Sequence, residues 1–247
     1  MPSAAEPIVE TEHLVVGYGD TVVLEKLDFT VPRGDVFAIL GGSGSGKSTL
    51  LRALIGLEEP LHGTIRLAGA PLPREGPPAS GVLFQSGALF GSMTLAENVA
   101  LPLGKWTTLD RQAIDTIVRS KLRLVGLEGF ENHLPAEISG GMKKRAGIAR
   151  ALALDPSLLY LDEPSAGLDP VTSAELDDLI ATLNTSLGMT TVLVTHELRS
   201  IFAIVKHCIM VDGRQRTIIA RGAPAALRDT SDDPQVRAFF NPHSRAG

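Results

Sequence analysis

The chain holds one cysteine among 247 residues, Cys208, so no disulfide can form within it, which suits a reducing compartment. Cys208 lies in the apolar run IVKHCIMV and reads as a small buried hydrophobe. Aromatic residues make up only 4%, with a single tryptophan, Trp106 in LGKWTT, for which nothing beyond packing is read. No apolar run reaches the ~18 residues a membrane-spanning helix needs, so a membrane role has to come through a partner. The opening MPSAAEPIVETEHLVV lacks a basic stretch followed by an apolar core and does not read as a signal peptide. Positive charge is also in deficit: 23 Lys and Arg against 28 Asp and Glu leave a net charge of −5. That sign disfavours a broad grip on nucleic acid. Internal repeats and low-complexity tracts are missing. What remains is a globular composition, 44% hydrophobic and 21% charged, on a chain long enough for one large domain or two modest ones.

The pattern along the chain alternates between sheet and helix. Residues 8–31, IVETEHLVVGYGDTVVLEKLDFTV, alternate and are β-branched, and turn signals at Gly17–Asp20 split them into antiparallel strands. GDVFAIL is an apolar run that ends in a glycine-rich loop, and STLLRALIGL follows with apolar residues at helical spacing. GTIRLAG is a short strand, and the Pro-, Gly- and Ser-rich residues 71–80 form a loop. From Leu95 to Leu154 the spacing is helical. SLLYLDEP and TTVLVTHE are apolar runs that stop at polar residues, with the helix-like VTSAELDDLIATLNTSLG between them, which predicts parallel strands and a crossover helix. HCIMVDGRQRTIIARG reads as a hairpin turned at Asp212–Gly213. The expected fold is an α/β core with an N-terminal antiparallel β subdomain and an inserted α-helical subdomain.

One stretch carries phosphate chemistry. GGSGSGKST, from Gly41 to Thr49, has the spacing G-x-x-x-x-G-K-[ST] of a P-loop. Gly41, Gly42, Gly44 and Gly46, with Ser43 and Ser45 between them, let the backbone curl until its N–H groups converge on an anion. The next helix adds its positive end. Lys47 would reach the β and γ phosphates and Ser48 would offer its hydroxyl to Mg²⁺. Asp162 ends the apolar run LLYLD, where open α/β sheets bind ligands, and is assigned to Mg²⁺, through water or directly. Glu163 is then free to polarise the attacking water. His196 ends TVLVTH, and from position alone both a γ-phosphate contact and a structural role stay open.

The stretch EISGGMKKRAGIAR breaks a local rule. Lys143, Lys144 and Arg145 fall in the first turn of its helix, where each cation opposes the macrodipole at a cost of roughly 0.3–1 kcal/mol. ISGGM lies shortly before LLYLDEP, and SAGLD, Ser165–Asp169, lies just after it. In this order, with the P-loop, the chain resembles the ATP-binding-cassette (ABC) ATPases over nearly its whole length. Their signature is usually written L-S-G-G-Q. The resemblance implies a P-loop NTPase core of ABC type, with ATP and Mg²⁺ as cofactors. It matches Tyr18 to the aromatic that stacks on adenine, Gln85 to the Q-loop residue at metal and catalytic centre, Asp169 to the D-loop aspartate and His196 to the switch histidine. It further implies a head-to-tail dimer in which Ser139, Gly140 and Gly141 of one copy contact the γ-phosphate of the other copy's ATP. The three cations would then add to a positive field awaiting that anion, or simply extend into solvent. Met142 stands where the family has glutamine and lacks its amide bonds; it is expected to pack on the helical subdomain.

SGGM followed by basic residues, FQSGALF, and the ending DDPQVRAFFNPHSRAG resemble a narrower group, the MlaF-like ATPases of Mla phospholipid-transport systems. That resemblance implies partners: an MlaE-like permease, an MlaD-like MCE-domain protein and an MlaB-like STAS-domain regulator, with the chain peripheral at the cytoplasmic face of the inner membrane. It divides a single domain over 1–247 into a core (8–86 and 155–225), a helical subdomain (87–154) and a tail (226–247). Leu89, Phe90 and Met93 could line a groove for a partner helix or lie in the core; VRAFF could anchor on its own domain or, as the family favours, on the second copy. The competing class, non-transport ABC proteins acting on DNA or ribosomes, usually carries a long coiled coil or two cassettes, and neither is visible here.

Overall fold

Strand β3 (Val36–Leu40) is buried at all five positions. It runs parallel to β8 (Thr190–Val194) on one side and to β9 (His207–Asp212) on the other, so both of its faces and both of its edges are covered. In this computed structural model, which describes residues 7–72 and 76–241, β3 sits inside a sheet of order β10-β9-β3-β8-β7-β6. Here β6 is Ser80–Leu83, β7 is Leu158–Asp162 and β10 is Thr217–Gly222. The pairs β3–β8, β8–β7 and β7–β6 are parallel and β10 closes one edge antiparallel. A second, antiparallel sheet combines β1 (Pro7–Tyr18), β2 (Thr21–Pro32), β4 (His62–Leu67) and β5 (Ala70–Pro71) in the order β2-β1-β4-β5. Both the antiparallel N-terminal strands and the parallel core match the expected architecture.

The alternation of β3 divides the interior. Phe37 and Ile39 point to a core shared with the antiparallel sheet and helix α1 (Lys47–Leu54). Val36, Ala38 and Leu40 point to the opposite core, which helices cover. Those helices are α2 (Leu95–Trp106), α3 (Arg111–Leu124), α4 (Gly140–Ala151), α5 (Pro170–Leu187) and α6 (Leu198–Ile204). Their starts are written in the sequence: Thr94 and Glu97 form a capping box on α2, and Asp110, Ser139 and Asp169 cap α3, α4 and α5. Among the described residues no helix is long and apolar enough to cross a membrane.

Three details differ from the expected pattern. The β9–β10 connection is wider than a two-residue turn, because the Asp212 carboxylate accepts from the Arg214 and Gln215 amides and rounds out a four-residue loop. Trp106 is 38% exposed at the end of α2, and beyond its covered part the Lys105 ammonium lies 5.0 Å from its ring, a contact the sequence does not announce. The tail forms α7 (Pro224–Thr230) and α8 (Pro234–Phe240), and Val236 and Phe240 of α8 are buried in the chain's own core, not left for a second copy. The sequence readings that fall on residues 1–6, on 73–75 of the loop and on the terminal 242–247 lie outside the described residues.

Candidate nucleotide-binding and catalytic site

The strand order brings the candidate residues into one row. The carboxyl ends of β3, β8, β7 and β6 are neighbours, and from them leave the P-loop, His196, Asp162 with Glu163, and Gln85 in turn. That edge is where open α/β sheets receive ligands. The P-loop curls because Gly44 (φ 73°) and Gly46 (φ 95°) adopt left-handed backbone. A methyl group at Gly46 would strike Leu24 and Val23 at 2.8–2.9 Å, so the loop is pressed directly onto the antiparallel sheet. Gly42, Ser43 and Gly44 are exposed, and nothing lies within 4 Å of where a Cβ would stand on either glycine, which leaves a concave backbone surface. Helix α1 begins beneath it with no acidic residue in its first turn, so its positive end is not neutralised.

Lys47 is buried, and its Nζ donates to the Gly41 and Gly42 carbonyls at 2.9 and 2.8 Å. Burial lowers its pKa from the ordinary lysine value, and the Glu163 and Asp162 carboxylates oppose that shift. Asp162 shifts the other way: burial and then the Glu163 charge raise its pKa, while Lys144 and Lys47 hold it down. Glu163 is held at both ends. Its amide donates to the Val194 carbonyl at 2.8 Å, and its Oε1 accepts from His196 Nδ1 at 2.8 Å. Its other oxygen, Oε2, is buried with no hydrogen-bond partner, so its acceptor capacity is unused. Tyr18 is 47% exposed at the end of β1, and its hydroxyl lies 3.2 Å from Thr49 Oγ1, so one end of the ring is fixed beside α1. Gln85 and Asp162 line one cavity of roughly 580 Å³.

The donor set suits a nucleotide with its magnesium. Among the described residues no group of three or more His, Cys, Asp or Glu side chains could cage a metal. Ser48, Asp162 and Gln85 supply too few oxygens for a protein-only site and the right number for a cation shared with phosphates.

Ser139, Gly140 and Gly141 are placed elsewhere. Ser139 caps α4, accepting from the Met142 amide at 3.2 Å, and Ser139 and Gly140 are exposed. Among the described residues no hydrogen bond joins them to the P-loop. Asp169 commits its carboxylate to its own helix, accepting from the Val171 and Thr172 amides and the Thr172 hydroxyl, and the Thr172 bonds hold its pKa below the usual range. Met142 packs partly buried against the helical core, as expected.

The three cations after Met142 do not act together, and the expectation of one shared field is corrected for two of them. Arg145 bonds the Val125 carbonyl and Glu175, both at 3.2 Å. Lys144 falls on the inner face of α4 with Gly141 and Ile148 and turns into the strand ends. Its Nζ donates to the Gln85 and Glu163 carbonyls.

The segment after Gln85 is also held by residues whose role the sequence pattern does not reveal. Arg150 donates to the Ala88 and Gly87 carbonyls at 2.7 and 3.3 Å. The buried Asn98 accepts from the Phe90 amide at 2.8 Å and donates to the Phe90, Met93 and Thr94 carbonyls. Of the three apolar residues there, Leu89 packs on the core, Met93 is half-buried, and Phe90 is 57% exposed.

The chain matches the family model described as ABC transporter over residues 24–166, more than half its length. It is 39% identical over 249 residues to the intermembrane phospholipid transport system ATP-binding protein MlaF of Escherichia coli K12, covering 98% of this chain and 91% of that protein. It is 41% identical over 240 residues to a probable ribonucleotide transport ATP-binding protein of Mycobacterium tuberculosis H37Rv, but spans only 66% of that relative's length. Among solved structures it resembles a dimeric ATP-binding cassette in a post-hydrolysis state bound to ADP and Pi, with TM-score 0.77 and 26% identity over 87% of this chain and 98% of that one. It also resembles a Clostridium perfringens cassette that is part of an ABC transporter complex, with TM-score 0.80 and 28% identity over 96% of each chain.

Proposed function

The chain belongs to the ABC transporter ATPases, and from that premise we propose that it is the ATP-hydrolysing subunit of a phospholipid transporter of the Mla type, acting as a head-to-tail dimer beneath a membrane permease. The observation that carries the hydrolytic reading is the row of strand ends that gathers Lys47, Asp162, Glu163 and His196, with Glu163 and His196 in direct contact at 2.8 Å. The phospholipid reading rests on the relative of which the chain covers 91%, rather than on the mycobacterial one of which it spans 66%.

In this mechanism the exposed N–H groups of 42–44, the start of α1 and Lys47 bind the β and γ phosphates. Tyr18 offers its exposed face to adenine. Ser48, Asp162 and Gln85 would hold Mg²⁺, which would supply positive charge against the phosphates. Glu163 orients and polarises the attacking water through its free Oε2, and His196 fixes the carboxylate through Oε1. Ser139 and Gly140, exposed at the start of α4, with Gly141 buried behind them, complete the site of a second copy, and Asp169 fixes the helix that packs beside them. The permease and its MCE-domain and STAS-domain companions place the chain at the cytoplasmic face of the inner membrane; nucleic acid is not a partner.

Glu163→Gln tests the reading. ATP binding should persist and an ATP-bound dimer accumulate on gel filtration, while phosphate release falls by about 10²–10⁴-fold. Near-normal hydrolysis in that variant removes Glu163 from its role. For the substrate, the chain reconstituted with its co-purified permease should drive ATP-dependent movement of phospholipid between vesicles. Movement of a small solute instead assigns it to another class of transporter, and DNA or ribosomes co-purifying without any permease would end the transport reading.

A further inference from the structure

Lys144 is 6% exposed, and its ammonium is lodged between two main-chain carbonyls that lie far apart in the chain, those of Gln85 and Glu163. A buried ammonium is costly unless its donors are used and opposite charge is near. Here two of its three N–H donors are used, and the Asp162 and Glu163 carboxylates oppose the effect of burial across the same space. What the arrangement holds in place is unusual. Glu163 has φ 45° and Ala88, three residues beyond Gln85, has φ 48°. A non-glycine residue in left-handed backbone is strained and persists only when its surroundings over-determine it. The other bonds to the Glu163 main chain come from nearby strand ends and the turn that follows: its amide donates to Val194 O and its carbonyl accepts from Ala166 N. The bond from Lys144 is different, because it comes from α4, the helix that carries Ser139–Gly141 at its start.

We infer that Lys144 is a positioning residue: it clamps the Glu163 backbone and the Gln85 turn to the signature helix, so that the water-polarising carboxylate of one site is aligned only while the helix serving the other site is in place. This inference rests on the proposed hydrolytic roles of Glu163 and of Ser139–Gly141. It gives the cation at position 144 a purpose within its own chain, where a partner's phosphate would have no use for a side chain turned inward.

The test compares Lys144→Met and Lys144→Arg in the full chain assembled with its permease. Lys144→Met should lower kcat by about 30–100-fold, the scale of a misaligned catalytic group, with KM for MgATP within about 3-fold. Lys144→Arg, which can also donate to two carbonyls, should recover most of the loss. Hydrogen exchange should rise tenfold or more at the amides of 85–88 and of Glu163, Ser165 and Ala166 in Lys144→Met, with the rest of α4 protected as in the parent. Parental kcat, parental exchange at those amides, or loss of kcat and KM together with α4 protection would each overturn the inference. If instead Glu163→Gln keeps its turnover, the role of Glu163 falls, while the exchange measurement still decides whether Lys144 holds that backbone.

Discussion

Gly140 and Gly141 stand side by side at the start of α4, yet they would receive a methyl group differently. At Gly140 the new carbon would lie 3.6 Å from Leu168 Cδ2, an ordinary contact. At Gly141 it would lie 2.3 Å from Thr172 Cγ2. Thr172 cannot swing away freely, because its hydroxyl donates to Asp169 Oδ2 at 2.5 Å. Gly141→Ala should therefore cost about 1–3 kcal/mol in urea unfolding, whereas Gly140→Ala should unfold like the parent. Any loss of ATPase in Gly140→Ala then reports on the surface proposed to face a second copy. Single residues were legible where a motif fixes their spacing, as for Gly41–Thr49, Asp162 and Glu163. Lys144 was not: its partner Gln85 is 59 positions away, and only the packing of α4 against β6 decides that the side chain turns inward.

At the scale of elements, the segment between β6 and α2 has no regular structure of its own, and its shape is set by side chains of the helices beside it. Asn98 alone makes four bonds to its backbone, to Phe90, Met93 and Thr94. Asn98→Ala would leave the Phe90 amide and the Met93 carbonyl without their partner, while the Phe90 and Thr94 carbonyls keep bonds from the Met93 and Asn98 amides, at an expected cost of about 1–3 kcal/mol. It should also weaken co-purification of the permease, if the exposed Phe90 is part of that contact; urea unfolding and a detergent pull-down separate the two effects. Strands and helices themselves could be read from hydrophobic period and caps. The tethers could not, since Asn98 and Arg150 look like any polar residues on a helix until the neighbouring loop is in place.

Across the whole molecule, two cores share one parallel sheet, and buried polar groups sit where its layers meet. Asp177 of α5 is 3% exposed beside Ser200 of α6, and burial raises its pKa above the usual carboxylate range. The sign of the consequence follows from linkage. The native state keeps this proton to higher pH than the unfolded chain does, so the site favours folding below the unfolded carboxyl value and loses that contribution as pH rises through the native value. Asp177→Asn has no proton to lose. Its Tm should match the parent's in acid and exceed it at pH 7, as calorimetry across that range would record. The overall architecture was legible because alternating strand and helix patterns allow few arrangements. The docking of α8 was not: VRAFF carries no mark of whether its own core or another copy will bury it, and the packing of Val236 and Phe240 decides it.

The solitary cysteine has a practical consequence. Cys208 is 1% exposed, its thiol donates to the Gly222 carbonyl at 3.3 Å, and burial pushes its pKa up to about 12. Thiol reagents attack through the thiolate, so at neutral pH the folded chain is silent to them without any residue being removed. A cysteine introduced at exposed Val171 or Phe90 would be the only one to take up a fluorophore or spin label. The distance between two such labels, one on each copy, could then be followed through turnover in a protein otherwise unaltered.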